Sequence, residues 1–190
     1  GSGKPFVIAE GEGAFYGPKI DILMKDSLGR SWQMGTLQLD FHQPARFDLK
    51  FTDSDGKVKT PIAIHRVIYG SLERFIGILI EHYGGAFPTW LSPIQVTIIP
   101  IADRHAGYAQ KVLEQLKASN IRAEIDIKAE KMQSKIRDAQ MQKIPYMLII
   151  GDREIADEKI SVRTKEEKNS GILSVSDFIG KIKLEIESKS

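Results

Sequence analysis

The chain has 190 residues, 42% apolar and 27% charged, with no cysteine and a formal net charge of +2. That is enough for one ordinary domain or two small ones of soluble composition, and it excludes disulfides and any thiolate metal site built within the chain. Apolar runs stay far short of the roughly 20 residues a bilayer span needs, so no membrane partner is expected, and the lack of cysteine suits a reducing, cytoplasmic setting.

In chain order, Lys19–Met24 ("KIDILM") alternates, Asp26–Arg30 ("DSLGR") gives a turn, and Ser31–Asp40 ("SWQMGTLQLD") alternates again, a hairpin pattern. Phe51–Lys59 contains Asp55-Gly56, a strong short-range hairpin signal. Ile64–Gly85 ("IHRVIYGSLERFIGILIEHYGG") reads as one long helix, apolar at Val67, Ile68, Leu72, Phe75, Ile76, Leu79, Ile80 and Tyr83 and ended by paired glycines. Arg74 sits in its middle, with Gly70 four residues back and Gly77 three on. A helical glycine costs on the order of 1 kcal/mol relative to alanine, so two beside one arginine suggest that something flat or bulky passes close by. A nucleotide suits that, because a guanidinium is a rigid fork of donors that keeps its charge. The alternative is an arginine paired to a buried glutamate, with glycines for close packing.

The segment Phe87–Pro93 reads as a connector, and the rhythm then changes. Gln95–Ile101 and Tyr146–Gly151 are continuous apolar runs, hence buried strands. Arg122–Lys128 and Lys159–Thr164 read as further strands, while Tyr108–Ser119, Lys131–Lys143 and Ser174–Ser188 are amphipathic. Ser174 with Asp177 three on resembles a capping box. The order points to a small α/β sheet domain. The expected domains are 1–91 and 92–190. Net charge is 0 over residues 1–94 and +2 over residues 95–190, so any RNA site must be a local patch. One candidate is Lys128, Lys131, Lys135, Arg137 and Lys143, opposed only by Glu130 and Asp138. A solvated helix face explains the same charges.

"GSLERFIGILIE" resembles motif 3 of class II aminoacyl-tRNA synthetases. Together with "EGAFYGPKID", "WQMGTLQLDF" and "IPYMLIIGDREI" it is similar to the C-terminal part of the threonyl-tRNA synthetases, over nearly the whole chain. The resemblance implies an α+β antiparallel portion of a class II catalytic domain, followed by an α/β anticodon-binding domain with a mixed sheet. It implies threonine–tRNA ligase activity, with ATP and Mg2+, threonine and threonine tRNA as partners and a homodimer in the full-length enzyme. By resemblance, Arg74 contacts ATP. Tyr16, Lys19, Thr36, Gln38 and Ser71 belong to the threonine pocket. Alternation puts Thr36 and Gln38 on one strand face and Gln33 on the other, unless a bulge intervenes. Arg153, Glu154 and Arg163 belong to anticodon recognition, where a carboxylate and a guanidinium suit base edges. Ala129 stands where some relatives carry an anticodon-contacting asparagine.

His65 matches the second histidine of the family's Zn2+ site, which uses one cysteine and two histidines. This chain offers only that one ligand, and the others are expected upstream of residue 1. Motifs 1 and 2 do not precede "GEGAFYGPK", so the chain is expected to be a fragment unable to activate threonine alone. The competing expectation is a catalytically silent synthetase-like paralogue or a free RNA-binding anticodon module.

Overall fold

Alternation builds the first sheet. Strands β1 (Lys19–Lys25) and β2 (Ser31–Asp40) pair antiparallel. Asp26 holds the turn between them by accepting from the backbone N–H groups of Leu28 and Arg30 at 3.0 and 2.9 Å. After a single helical turn, α1 (Gln43–Arg46), the strands β3 (Phe51–Thr52) and β4 (Val58–Lys59) form a short hairpin around Asp55-Gly56. Strand β5 (Ala63–Val67) then pairs antiparallel with β2, giving the order β1-β2-β5. The computed structural model describes Gly3, residues 5–165 and residues 171–189. It divides into two compact units, Gly1–His82 and Tyr83–Ser190.

The single helix expected over Ile64–Gly85 is instead a strand, a turn and a helix, α2 (Leu72–Tyr83). The apolar positions Ile64 and Val67 are compatible with a helical stripe, but the ladder with β2 takes the backbone groups of Ala63–Val67 first. Gly70 therefore lies in the turn and not on the helix. Its φ is +65°, and a Cβ there would sit 2.9 Å from the Met34 carbonyl oxygen. Both facts demand glycine, and neither involves a ligand. Gly77 does lie within α2, and a Cβ there would meet open space.

Strand β2 carries one irregularity. Ile22 pairs with Gly35 and Leu23 with Gln33, so Met34 is an extra residue opposite β1. Such a bulge shifts the alternation of everything on one side of it.

The second unit holds a five-stranded sheet in the order β10-β9-β8-β6-β7, from β6 (Val96–Pro100), β7 (Ala123–Ile125), β8 (Tyr146–Ile150), β9 (Lys159–Thr164) and β10 (Gly171–Ser174). Pairing is parallel for β6 with β7 and β8, and antiparallel for β8–β9 and β9–β10, so the sheet is mixed. The central strands β6 and β8 are buried at every residue, which is why they read as unbroken apolar runs. Helices α3 (Ala106–Ala118) and α6 (Val175–Ser188) cover one face, packing Leu116, Phe178 and Ile182 against Ile98 and Leu148. Helix α4 (Met132–Met141) covers part of the other, with Ile136 and Ala139 over Ile99, Met147 and Ile149. A short helix, α5 (Asp152–Ala156), follows β8. Ser174 caps α6 by accepting from the Asp177 N–H.

Candidate functional site

Register places a polar row across the first sheet. Lys19 pairs with Gln38, and Gln38 with His65, so all three side chains leave the same face. Two residues along, Asp21 pairs with Thr36 on that face. Lys19 and Asp21 form an ion pair at 2.8 Å. Asp21 also accepts from the Thr36 hydroxyl at 2.9 Å and from the Gln33 amide at 2.7 Å. The Lys19 ammonium, with these donors, holds the Asp21 carboxyl below the usual carboxylate range. The Gln33 amide further donates to Thr36 Oγ1 at 2.8 Å. It reaches this side because of the Met34 bulge, so the proviso attached to Gln33 is met. Tyr16 enters from the preceding loop, and its hydroxyl donates to Gln38 Oε1 at 3.1 Å.

His65 meets a carboxylate that the sequence reading passed over. Its Nε2 lies 2.9 Å from Asp40 Oδ2. Asp40 is buried, and its Oδ1 accepts from the His42 and Gln43 backbone N–H groups, both at 2.9 Å. Those amides, Gln43 first, and the His65 ring hold Asp40 below its ordinary value. An ionised Asp40 makes Nε2 the proton-bearing nitrogen, which leaves Nδ1 with a lone pair when the ring is neutral. Among the described residues no group of three or more His, Cys, Asp or Glu side chains could hold a metal ion. The described residues therefore make no zinc site around His65.

Ser71 sits at the N-terminal end of α2, where its hydroxyl donates to Glu73 at 2.6 Å and lowers the pKa of that carboxyl. Arg74 pairs with no carboxylate among the described residues. One guanidinium nitrogen donates to the Gln33 carbonyl at 3.1 Å, and its Cζ lies 5.5 Å from the centre of the Trp32 ring. The alternative of an arginine neutralised by a buried glutamate is thus not what α2 contains. Glu81 instead approaches Arg30, at 4.0 Å.

In the second unit, Arg163 on β9 pairs with Met147 and so shares the α4 face of the sheet. Its Nε is buried and has no hydrogen-bond partner among the described residues. Glu154 accepts from the Gly151 backbone N–H at 2.9 Å, fixing the start of α5, and Arg153 beside it is exposed. Asp152 is forked by Arg104 at 3.0 and 2.6 Å and accepts a hydrogen bond from His105 Nε2 at 2.9 Å. Arg104, then His105, pull its carboxyl far below the usual range. These contacts tie the β8–α5 turn to the start of α3. The basic patch is largely committed to structure. Lys128 pairs with Asp138 at 3.3 Å, the buried Lys135 donates to the Asp126 carbonyl at 3.0 Å, and Lys143 donates to the Gly84 carbonyl.

Two family models match this chain. The tRNA synthetase class II core domain (G, H, P, S and T) covers residues 4–83, and the anticodon binding domain covers residues 95–185. The chain belongs to the class II aminoacyl-tRNA synthetase family. Within that family it is 55% identical to the threonine–tRNA ligase of Caldanaerobacter subterraneus subsp. tengcongensis, over 98% of this chain and 29% of that protein. It is also 55% identical to the threonine–tRNA ligase of Clostridium botulinum, over 99% and 30%. It thus spans under a third of the length of these synthetases. The crystal structure of the RNA binding domain of threonyl-tRNA synthetase from Cryptosporidium parvum Iowa II superposes with a TM-score of 0.81 at 39% identity, over 92% of this chain and 44% of that one. The synthetase family accounts for the fold expected from the sequence, an antiparallel catalytic-domain portion followed by a mixed-sheet anticodon-binding domain. No helix among the described residues is long and apolar enough to cross a membrane.

Proposed function

We propose that this chain carries the threonine- and ATP-facing end of the catalytic domain, residues 1–91, and the anticodon reader, residues 92–190, of a cytoplasmic, homodimeric threonine–tRNA ligase. The observation that carries this is the in-register row Lys19–Gln38–His65, with Asp21 and Thr36 beside it. Lys19, Asp21 and Thr36 are tied to one another, Gln38 to Tyr16 and His65 to Asp40, so an incoming amino acid meets groups already oriented. Tyr16 fixes the Gln38 amide, the Lys19–Asp21 pair sets the charge, and Ser71 starts the helix that presents Arg74. Arg74, without a carboxylate partner among the described residues, is suited to the adenine and phosphates of ATP with Mg2+. A zinc ion, when bound in the full-length ligase, would supply Lewis-acid chemistry to the bound substrate. His65 would be this chain's one ligand to it, with Asp40 holding the tautomer. In the second unit, Arg163, Glu154 and Arg153 would read bases splayed from the anticodon loop of threonine tRNA.

Steady-state threonine-dependent ATP–pyrophosphate exchange by a full-length ligase carrying these residues tests the pocket. Gln38→Ala should raise the KM for threonine about tenfold or more, as expected for a lost bond to a charged ligand, with the KM for ATP little changed. An unchanged KM for threonine refutes the pocket. A full-length protein with no exchange at all, yet binding threonine tRNA, is a silent paralogue instead.

A further inference from the structure

The guanidinium of Arg74 does not stand free. It rests 5.5 Å from the centre of the Trp32 ring and is anchored at one nitrogen to the Gln33 carbonyl, while the residue as a whole is exposed. The indole beneath it is itself pinned. Trp32 Nε1–H donates to Asp26 Oδ2 at 2.9 Å, and Asp26 is buried. The same carboxylate takes Arg30 Nε at 2.6 Å and two turn amides. Arg30 also lies near the ring, at 6.0 Å, but its charge is answered by Asp26. Arg74 has no such answer among the described residues, so of the two cations at this indole it is the one left for an outside ligand.

We propose that Trp32 is a positioning residue: it backs the Arg74 guanidinium so that the opposite face of that group receives a purine ring, giving a stack of indole, guanidinium and base. This rests on the reading that Arg74 contacts ATP. A guanidinium on a long stem samples many rotamers, and ordering it on binding costs affinity. Indole is the best aromatic partner for a cation, and a ring held by a buried acid cannot swing away. Gly77, one turn further along α2 with open space over it, leaves the approach unobstructed. Trp32 touches no reacting atom, so its contribution should appear in nucleotide binding and not in the chemical step.

The test is ATP–pyrophosphate exchange with the full-length ligase carrying Trp32→Leu, Trp32→Phe or Arg74→Ala. Trp32→Leu should raise the KM for ATP about 3- to 30-fold, the span of a cation–π contact, with kcat and the KM for threonine within about twofold. Trp32→Phe, which keeps an aromatic face without the bond to Asp26, should recover part of the loss. If Trp32→Leu does not fold, Trp32→Met, of similar bulk without a π face, takes its place. An unchanged KM for ATP in the leucine or methionine variant, with Arg74→Ala impaired, overturns the platform and spares the Arg74 reading. No effect from Arg74→Ala overturns that reading and the platform with it. Equal damage to kcat and to both KM values, without recovery in Trp32→Phe, reduces Trp32 to a structural residue and also overturns the proposal.

Discussion

Arg163→Met separates function from folding by the sign of its two effects. The Arg163 Nε is buried without a partner among the described residues, and an unsatisfied buried donor costs about 1–3 kcal/mol. Methionine keeps much of the aliphatic stem over Met147 and removes the stranded donor. The second unit should therefore gain about 1 kcal/mol in unfolding free energy, the lower end of that span. If the guanidinium forks onto a base edge, its loss costs about 1–3 kcal/mol, which is about 5- to 150-fold in Kd. Two assays on the same protein suffice. Urea unfolding followed by circular dichroism gives the stability, and fluorescence anisotropy with a threonine tRNA anticodon stem–loop and an anticodon-swapped control gives the affinity. Tighter folding with weaker, anticodon-dependent binding is the expected pair. A variant destabilised by more than about 1 kcal/mol with unchanged RNA affinity refutes the reasoning, because Arg163 would then be a packing residue whose donor cost little.

Further outcomes follow from the same geometry. Gly70→Ala should destabilise the first unit by at least about 1–2 kcal/mol, the left-handed backbone penalty, with the approach to the Met34 carbonyl adding to it. Gly77→Ala should stabilise it by about 1 kcal/mol; Trp32 emission during urea unfolding in a Trp90→Phe background reads both. Gln95→Leu strands the Thr89 carbonyl and the Arg122 N–H that the buried Gln95 amide satisfies, and should cost the second unit about 2–3 kcal/mol in urea unfolding. The Trp32 N–H, then Arg30, lower the Asp26 pKa from 3.8 to about 2. That depressed value stabilises the fold fully above the unfolded-state pKa and is lost as pH falls from about 4 towards 2. The stability gap between the native chain and Asp26→Asn should accordingly be flat above pH 4 and shrink below it.

The sheet domain was legible because β6 and β8 are buried on both faces, which writes them as unbroken apolar runs, and because the amphipathic helices carry clear stripes. The stretch from Ile64 misled because its apolar spacing satisfies a helical period as well as a strand next to a turn; only the ladder to β2, a long-range fact, decides between them. At the site, period-two reasoning correctly joined Thr36 with Gln38. The same rule, applied to Lys19 and Gln38, points two residues on to Asp21 and Asp40, so these carboxylates were within reach of the sequence. Gln33 was not, since nothing local announces a bulge at Met34. Nor was the contact of Trp32 with Arg74, which depends on where α2 lands after a turn set by Gly70.

The surplus residue at Met34 has a consequence for anyone editing this protein. Removing it would restore an even pleat and look like a tidy repair, yet it would turn Gln33 away from Asp21 and Thr36 and send Trp32 to the other surface of the sheet. One irregular peptide unit thus sets the phase between the half of β2 that faces the amino-acid row and the half that supports the arginine. Grafts between related chains should be cut outside Trp32–Gly35, never through it.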